Sequence, residues 1–224
     1  MKEKVVVTGG AGFIGSHLTK KLIDMGYEVH VIDSLIAGKK ENIPTEAILH
    51  IVDIRDQEKL TPIFQGSLCV FHLAALPSVP YSIEYPVETH EVNALGTLKV
   101  LVSARDAHVR RVVYSSSSAV YGNQDNLPIF EDAICKPNTP YGLQKLEGEY
   151  YMRLINELYG VETISLRYFN LYGPRQNASG PYASVVAKFL DQSIKGEVLT
   201  IFGEGLQTRD FVHVEDVVEA NILA

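Results

Sequence analysis

Val5-Val6-Val7-Thr8-Gly9-Gly10-Ala11-Gly12-Phe13-Ile14-Gly15 is the stretch of sequence that decides the fold. Three consecutive valines are typical of a strand that is buried on both faces, as in a parallel sheet. The glycines then predict a tight turn, and Leu18, Leu22 and Met25 follow at helical spacing over residues 16–25. Strand, glycine turn and helix in this order form the context that a dinucleotide-binding fingerprint requires.

The glycine spacing fits two related patterns. Gly10, Gly12 and Gly15 fit G-x-G-x-x-G, and the last two of them fit T-G-x-x-G-x-x-G together with Thr8 and Gly9. Without a Cβ, these residues let the chain turn tightly, approach a pyrophosphate and pack helix against strand. The helix then points its unpaired N–H groups at the phosphates. For a glycine motif alone, an ordinary tight turn is the alternative.

An acidic residue follows at the expected place. Residues 27–32 read as the next strand, and this strand ends at Asp33. A carboxylate there can accept hydrogen bonds from both hydroxyls of an adenosine ribose, and it would repel a 2′-phosphate. The sequence therefore predicts a bound dinucleotide, with NAD preferred over NADP.

Composition sets the broad class of protein. The chain has 224 residues, enough to bury a sizeable core, and its 20 basic and 27 acidic residues give a net charge of −7. This charge argues against a nucleic-acid partner or an anionic membrane. Cys69 and Cys135 form no metal motif or disulfide framework, and we find no signal-peptide core and no membrane-spanning apolar run. We expect a soluble cytoplasmic protein without a metal site.

Strands alternate with helices along most of the chain. We expect further strands at residues 48–54, 68–75, 111–114 and 161–168, and helices at 56–64, 86–107 and 141–159. In the helix over 86–107, we expect Val92, Leu95, Leu98, Leu101 and Val102 to form one apolar face. The alternation predicts an α/β fold with a doubly wound parallel sheet, the Rossmann arrangement.

The texture changes after Tyr168. We divide the chain into a NAD-binding domain at residues 1–168 and a smaller, interleaved substrate-binding part at 169–224. In the second part we expect a helix at 183–195 and short strands near 199–202 and 211–213. A last helix begins at Glu215 and the sequence stops inside it at Ala224, so we expect this part to be incomplete.

Tyr141 and Lys145 are the strongest candidates for chemistry. They lie four residues apart at the start of a helix and so share a face. A nearby ammonium and a cationic nicotinamide would both favour the phenolate, which would lower the pKa of Tyr141 toward neutral pH. The serine run at 115–118 ends a neighbouring strand, so a hydroxyl there can share the substrate's proton. A Tyr-x-x-x-Lys pattern alone often occurs by chance. Its combination with the serine run, the glycine turn and Asp33 is specific.

His72 lies at the end of another predicted strand. It could serve as a ligand or base, but a buried histidine with satisfied hydrogen bonds is the favoured interpretation. The strand runs into the small residues Ala74 and Ala75, which leave room for a cofactor beneath the switch point of the sheet.

Several motifs together carry a resemblance to a known family. They are residues 8–15, Asp33, Asp53-Ile54, His72-Leu73-Ala74-Ala75, residues 116–122, Tyr141-Gly-Leu-Gln-Lys145, residues 167–170 and 173–176, residues 201–203 and residues 208–210. With them the chain resembles the extended short-chain dehydrogenase/reductases over essentially its full length. Within that family it is most similar to the nucleotide-sugar 4-epimerases.

The resemblance implies a role for each motif residue. Tyr141 would be the base, Lys145 would hold the nicotinamide ribose, and Ser117 would bond the 4-hydroxyl of the sugar. The implied cofactor set is Gly9, Gly12, Phe13, Ile14, Asp33, Ser34, Asp53, Ile54, Leu73, Ala74, Ala75, Tyr141, Lys145 and Tyr168. The implied substrate set is Ser78 and Ser117 at the sugar, Asn170 and Arg209 at the diphosphate, and Val185, Thr200 and Phe202 at the uridine. Ser78 is a sugar contact in this scheme.

The implied activity is NAD-dependent 4-epimerisation of a UDP-sugar through a 4-keto intermediate. Relatives that dehydrate or decarboxylate the sugar typically carry an acidic residue just after the catalytic hydroxyl, where this chain has Ser118 and Ala119. Those two reactions are the enzymatic alternatives, and a non-catalytic dinucleotide sensor is the alternative from another class. Pro77 stands where glucose/galactose enzymes often have lysine, which favours N-acetylhexosamines but leaves the sugar open. The resemblance also implies a homodimer built from the helices at 86–107 and 141–159.

Overall fold

A parallel sheet of six strands forms the centre of the protein. The computed structural model describes residues 2–178, 183–201 and 203–224. The strands are β1 (Lys4–Thr8), β2 (Glu28–Asp33), β3 (Ile48–Ile51), β4 (Ser67–His72), β5 (Arg111–Ser117) and β6 (Glu162–Tyr168). Their order across the sheet is β3-β2-β1-β4-β5-β6. The predicted doubly wound sheet is confirmed, and its strand order reverses between β1 and β4, where such sheets bind ligands.

The helices cover both faces of this sheet. They are α1 (Phe13–Asp24), α2 (Gln57–Phe64), α3 (Val79–Glu84), α4 (Pro86–His90), α5 (Thr97–Asp106) and α6 (Pro140–Tyr159). A wider, π-helical turn at Glu91–Gly96 joins α4 to α5, so residues 86–106 form one continuous helix. Gly160 ends α6 in the left-handed conformation, at φ 73°. The sequence analysis missed α3 and the π-helical turn.

The chain after β6 adds four elements to this frame. They are β7 (Asn170–Tyr172), α7 (Val185–Ile194), β8 (Phe211–His213) and α8 (Val214–Leu223). β7 and β8 pair in parallel as a separate two-stranded sheet. The strand predicted near 199–202 is wrong for residues 199–201, because the Gln192 side chain binds both the N–H and the hydroxyl of Thr200. Phe202 lies outside the described residues.

Two hydrophobic clusters lie on opposite faces of the sheet. Val6 belongs to the cluster beneath α2, α5 and α6, while Val5 and Val7 belong to the cluster beneath α1 and α8. Successive side chains of a strand point to opposite faces, so β1 needs apolar residues at each position. Val218 brings α8 into the second cluster. No helix within the described ranges is long and apolar enough to cross a membrane.

The apolar face predicted for residues 86–107 is wrong in detail. The buried side of this helix carries Asn93, Ala94, Thr97 and Leu101, whereas Leu95 is 42% exposed. The π-helical turn shifts the register of the helix within this stretch, so a fixed 3.6-residue spacing cannot describe its buried face. Small and polar residues therefore contact the interior around the π-helical turn, whereas Val100 and Leu101 of α5 are buried in the core.

Candidate active site

The glycine turn between β1 and α1 forms a narrow cradle. Gly9 has a φ of 71°, and a Cβ on it would lie 2.7 Å from the backbone nitrogen of Ala74. Gly12 caps α1 without a side-chain hydrogen bond, so the N–H groups of the first turn of α1 face outward. These features fit a pyrophosphate, because the backbone can approach closely and the helix end carries positive charge. Phe13 and Ile14 form the first turn of α1.

Asp33 lies at the end of β2, directly beside the glycine turn. Its Oδ2 accepts a hydrogen bond from the backbone N–H of Ala11 at 3.0 Å, and its Oδ1 accepts one from Leu35 at 2.8 Å. A carboxylate has about four acceptor positions, so room remains for ribose hydroxyls. The side chain is buried, Gly38 packs against it, and Ser34 follows on the surface. The position suits the role that the sequence predicts.

Asp53 and Ile54 follow β3 with different surroundings. The Asp53 carboxylate accepts two hydrogen bonds from the Arg55 guanidinium, at 2.7 and 3.0 Å. This contact holds the pKa of Asp53 below its usual range. The Ile54 side chain is buried in the core against Gly96, so only its backbone is available to a ligand. Their contacts with adenine stay predictions.

The segment after β4 closes the cradle from the other side. Thr8 binds it twice, through its carbonyl oxygen to the N–H of Leu73 and through its hydroxyl to the N–H of Ala74, each at 3.2 Å. Leu73, Ala74 and Ala75 thus lie beside Gly9, where the strand order reverses. The residues predicted to contact the cofactor after β1 and after β4 therefore lie at one edge of the sheet.

Ser117, Tyr141 and Lys145 meet at the end of β5. The Ser117 hydroxyl lies close enough to Tyr141 to lower the pKa of its phenol in part, and both Tyr141 and Lys145 are almost completely buried. The Lys145 ammonium donates to the carbonyl oxygen of Ser115 at 2.7 Å and lies 5.9 Å from the centre of the Tyr141 ring. The fold brings these three residues together as the sequence predicts.

Burial shifts both Tyr141 and Lys145 toward their neutral forms. It raises the pKa of Tyr141 to about 12, although the neighbouring Ser117 hydroxyl lowers it in part. Burial also lowers the pKa of Lys145 to about 7. The predicted lowering of the Tyr141 pKa toward neutral pH depends on a cationic nicotinamide as well as on the ammonium, so it stays a prediction.

His72 is a structural histidine, as the favoured interpretation has it. Its Nδ1 lies 2.8 Å from the Thr8 hydroxyl and its Nε2 lies 3.0 Å from the Thr97 hydroxyl. Burial lowers the pKa of its imidazole to about 3, so it is neutral at physiological pH. Both ring nitrogens are satisfied within the protein, which explains a buried polar residue at this strand end.

A second buried polar pair was missed by the sequence analysis. The Asn93 amide nitrogen donates to Gln144 Oε1 at 2.9 Å, and Asn93 also binds the backbone N–H and carbonyl of Leu76. Gln144 lies on α6 between Tyr141 and Lys145. The signal for both residues was an amide side chain inside an amphipathic helical pattern, which is costly unless it is hydrogen-bonded. The pair joins the π-helical turn, the loop after β4 and α6, the helix that carries Tyr141 and Lys145.

Ser82 makes a further contact with Tyr141, the predicted base. Its hydroxyl accepts a hydrogen bond from the backbone N–H of Tyr141 at 3.1 Å and donates one to the Val79 carbonyl at 2.7 Å. Ser82 is completely buried on α3. The predicted sugar contact Ser78 caps the same helix, because its hydroxyl accepts from the N–H of Tyr81 at 3.2 Å.

The other predicted substrate residues lie in the chain after β6. The Asn170 side chain donates a hydrogen bond to the Asp210 carbonyl at 3.0 Å. Arg209, which precedes Asp210 in the sequence, is exposed. Val185 and Thr200 are exposed. The Tyr168 hydroxyl, predicted at the cofactor, is hydrogen-bonded to the Asn221 side chain. The ligand contacts of these residues and of Phe202 stay predictions.

A parallel sheet with this switch point, a glycine cradle beside it and a Ser–Tyr–Lys cluster define a dinucleotide-dependent enzyme of the short-chain dehydrogenase/reductase class. The sequence matches the NAD dependent epimerase/dehydratase family over residues 5–224, and the chain belongs to that family.

Several relatives share both sequence and structure. A UDP-glucose 4-epimerase from Lactobacillus helveticus is 35% identical, and the alignment covers 99% of this chain and 71% of the relative. The crystal structure of a UDP-glucose 4-epimerase with UDP-glucose from Thermotoga maritima is 42% identical with a TM-score of 0.95, covering 98% and 72% of the two chains. A UDP-N-acetylglucosamine 4-epimerase from Methanobrevibacter ruminantium, in complex with UDP-N-acetylmuramic acid, has the same identity and TM-score, covering 100% and 73%.

Proposed function

We propose that this protein catalyses the NAD-dependent 4-epimerisation of a UDP-linked hexose through a transient 4-keto intermediate. The observation that carries the proposal is the cluster of Ser117, Tyr141 and Lys145, in which Tyr141 and Lys145 are buried on one helix and Ser117 lies beside Tyr141. The similarity to UDP-sugar 4-epimerases supports it. Bound NAD would supply reversible hydride transfer at C4 of the sugar.

The chain's own residues supply the proton transfer and the orientation. Tyr141 accepts the proton of the 4-hydroxyl while C4 is oxidised, and it returns that proton when C4 is reduced. Ser117 holds the sugar hydroxyl against the phenol. Lys145 is oriented by the Ser115 carbonyl, so it is positioned to bind the nicotinamide ribose. Asp33 and the glycine turn would hold the adenosine ribose and the diphosphate of the cofactor.

Dehydration and decarboxylation are disfavoured by the residues around the serine run. Both reactions need a proton-transferring acid near C5 and C6 of the sugar, and neither Ser118 nor Ala119 can serve. Glu149 is an acidic side chain that reaches this strand end, but Arg167 holds both of its oxygens and Ser116 donates to one of them. A carboxylate bound in this way is poorly suited to proton transfer.

The decisive experiment is product analysis with three substrates. Purified protein would be incubated separately with UDP-glucose, UDP-N-acetylglucosamine and UDP-glucuronic acid, and the products would be separated. We expect the C4 epimer of at least one substrate, and the most reactive one identifies the sugar. A product altered at C5 or C6 would favour a dehydratase or decarboxylase, and no product at all would favour a dinucleotide sensor.

The assignment of the base is tested by Tyr141→Phe. This change removes one hydroxyl and leaves the ring in place, so we expect turnover to fall by about three orders of magnitude or more. We expect the amount of bound NAD to remain as in the parent protein. Turnover at the parent rate would refute the assigned base.

We also propose that the protein is a homodimer. Leu143, Tyr150, Leu154 and Leu158 lie on the outer side of α6 and are 57%, 52%, 39% and 66% exposed. Their spacing places them on one face, which a second copy of the same helix pair could cover. Sedimentation should show a dimer for the parent and a monomer for Leu154→Asp. The matched control is Leu190→Asp, which changes an exposed leucine of α7 and should leave the dimer intact.

Two further proposals concern organisation and location. We propose that residues 169–224 belong to the substrate side of the enzyme, which is supported by their separate β7–β8 sheet and by the positions of Asn170 and Arg209. We propose a cytoplasmic location, which is supported by two free thiols, Cys69 and Cys135.

A further inference from the structure

Three consecutive serines of β5 each interact with a different residue of α6. The Ser115 carbonyl accepts from the Lys145 ammonium at 2.7 Å, and the Ser117 hydroxyl lies close enough to Tyr141 to lower the pKa of its phenol in part. Between them, the Ser116 hydroxyl donates to Glu149 Oε1 at 2.5 Å. Two of the three contacts belong to the proposed active site. The proposed chemistry leaves the third, between Ser116 and Glu149, without a role.

The α6 partners are spaced four residues apart. Tyr141, Lys145 and Glu149 therefore lie one above the other on the same face of the helix, which is directed at the end of β5. Ser116 is 2% exposed, and the Glu149 side chain is 12% exposed. The hydrogen bond between them is thus largely shielded from water, and a bond to an ionised acceptor is stronger than one between neutral groups.

Arg167 fixes Glu149 from the neighbouring strand. Its Nε and Nη2 atoms bind the two carboxylate oxygens at 2.9 and 2.7 Å. Arg167 is the residue of β6 that pairs directly with Ser116 of β5. Glu149 therefore spans two strands at the level of the serine run. Buried ion pairs add little net stability compared with apolar packing. The Glu149–Arg167 pair therefore matters for the geometry that it fixes and not for the stability that it adds.

We infer that Glu149 is a positioning residue for the reaction, because it holds Ser116 and thereby sets the place of Ser117 against Tyr141. This inference rests on the proposed function for its kinetic consequence alone. Glu149 touches neither sugar nor nicotinamide in this scheme. It acts through the backbone of Ser116, which is bonded directly to Ser117.

Kinetics of Ser116→Ala test the inference. The change removes the hydroxyl and leaves the Glu149–Arg167 pair in place, so we expect kcat to fall by about tenfold with KM within about twofold, as misplacement of a catalytic group does. Ser103→Ala is the matched control, because Ser103 is buried and its hydroxyl has no hydrogen-bond partner among the described residues. We expect the control to keep the parent kcat. A kcat for Ser116→Ala within twofold of the parent would overturn the inference.

A second variant keeps the test independent of one substitution. Glu149→Gln retains the size of the side chain but weakens the contacts with Ser116 and Arg167. Combined with Ser116→Ala, it should cost little more than the stronger single change, because both act on one contact. Additive losses in kcat would show that the two residues act separately, which contradicts the inference.

A readout without turnover separates this inference from the proposed function. Tyrosines labelled at the ring carbon that bears the hydroxyl would be observed by NMR, and the Tyr141 signal would be identified by its loss in Tyr141→Phe. We expect this signal to move in Ser116→Ala and to stay in Ser103→Ala. An unmoved signal overturns the positioning role whatever the reaction is. A parent protein that epimerises no substrate overturns the proposed function and leaves the NMR result to decide the inference.

Discussion

Replacing Lys145 by methionine should stabilise the protein while abolishing its activity. The lysine is 2% exposed, and burial lowers its pKa from 10.5 to about 7. The difference of about 3.5 pH units (10.5 minus 7) corresponds to about 5 kcal/mol that the folded state loses by burying the charged form. Methionine is similar in length and carries no charge, so the variant avoids this cost.

Two interactions of Lys145 oppose the gain. Loss of the 2.7 Å hydrogen bond leaves the Ser115 carbonyl without that partner, which costs about 1–3 kcal/mol. The ammonium also lies 4.8 Å from the centre of the Tyr114 ring, a contact worth about 1 kcal/mol. At pH 6 we therefore expect Lys145→Met to be more stable than the parent by about 1–3 kcal/mol.

The sign of the effect depends on pH. Between about pH 7 and 10.5 the lysine is neutral when folded and charged when unfolded, so the unfolded chain binds more protons. The stability of the parent therefore rises with pH in this window, whereas that of the variant does not. By pH 10 most of the burial cost of the parent has gone, and the lost contacts make the variant the less stable protein.

Urea unfolding of nucleotide-free protein at pH 6, 7, 8.5 and 10 measures this difference. Lys59→Met is the control, because Lys59 is exposed beside Asp56 and should show no such crossover. The reasoning is refuted if Lys145→Met is less stable than the parent at pH 6. It is also refuted if the difference between the two proteins stays constant from pH 6 to 10.

Two further predictions concern stability. Gly9→Ala should destabilise the protein by more than about 2 kcal/mol, because residue 9 combines a positive φ with a Cβ that would lie 2.7 Å from backbone. Gly26→Ala is the control: residue 26 has the positive φ alone, so the change should cost about 1 kcal/mol in the same urea titration. Asn93→Ala should cost about 3 kcal/mol because it leaves the amide oxygen of Gln144 and the backbone N–H and carbonyl of Leu76 without their Asn93 partner. A loss below about 1 kcal/mol by calorimetry would contradict the role given to this network. Asn138→Ala, which breaks only an exposed contact with Asn123, is its control.

The frame of the site could be predicted from local sequence. β1, the glycine turn, α1 and Asp33 follow one another within about thirty residues, and each has its own periodicity or turn chemistry. Tyr141 and Lys145 were predictable because four-residue spacing fixes a shared helix face. Ser117 could be predicted to lie at the same edge of the sheet as the cofactor residues, because it ends a parallel strand.

The missed features depend on contacts between distant segments. Asn93 and Gln144 are 51 residues apart, and neither amide indicates its partner from sequence. The π-helical turn has no local signature in its composition, so the predicted apolar face failed there. The burial that raises the pKa of Tyr141 could not be predicted from sequence either, because burial is a property of the whole fold.

The hydrogen bond between Ser82 and Tyr141 has a consequence for any attempt to redesign the sugar pocket. Ser78 begins the helix on which Ser82 lies, so a residue proposed to recognise the sugar and a support for the base share one short rigid element. Changes in this helix that are chosen to admit a different sugar will also displace the amino end of α6. Variants of this helix with an altered substrate preference should therefore turn over more slowly. Further substitutions near Ser82 should restore the turnover.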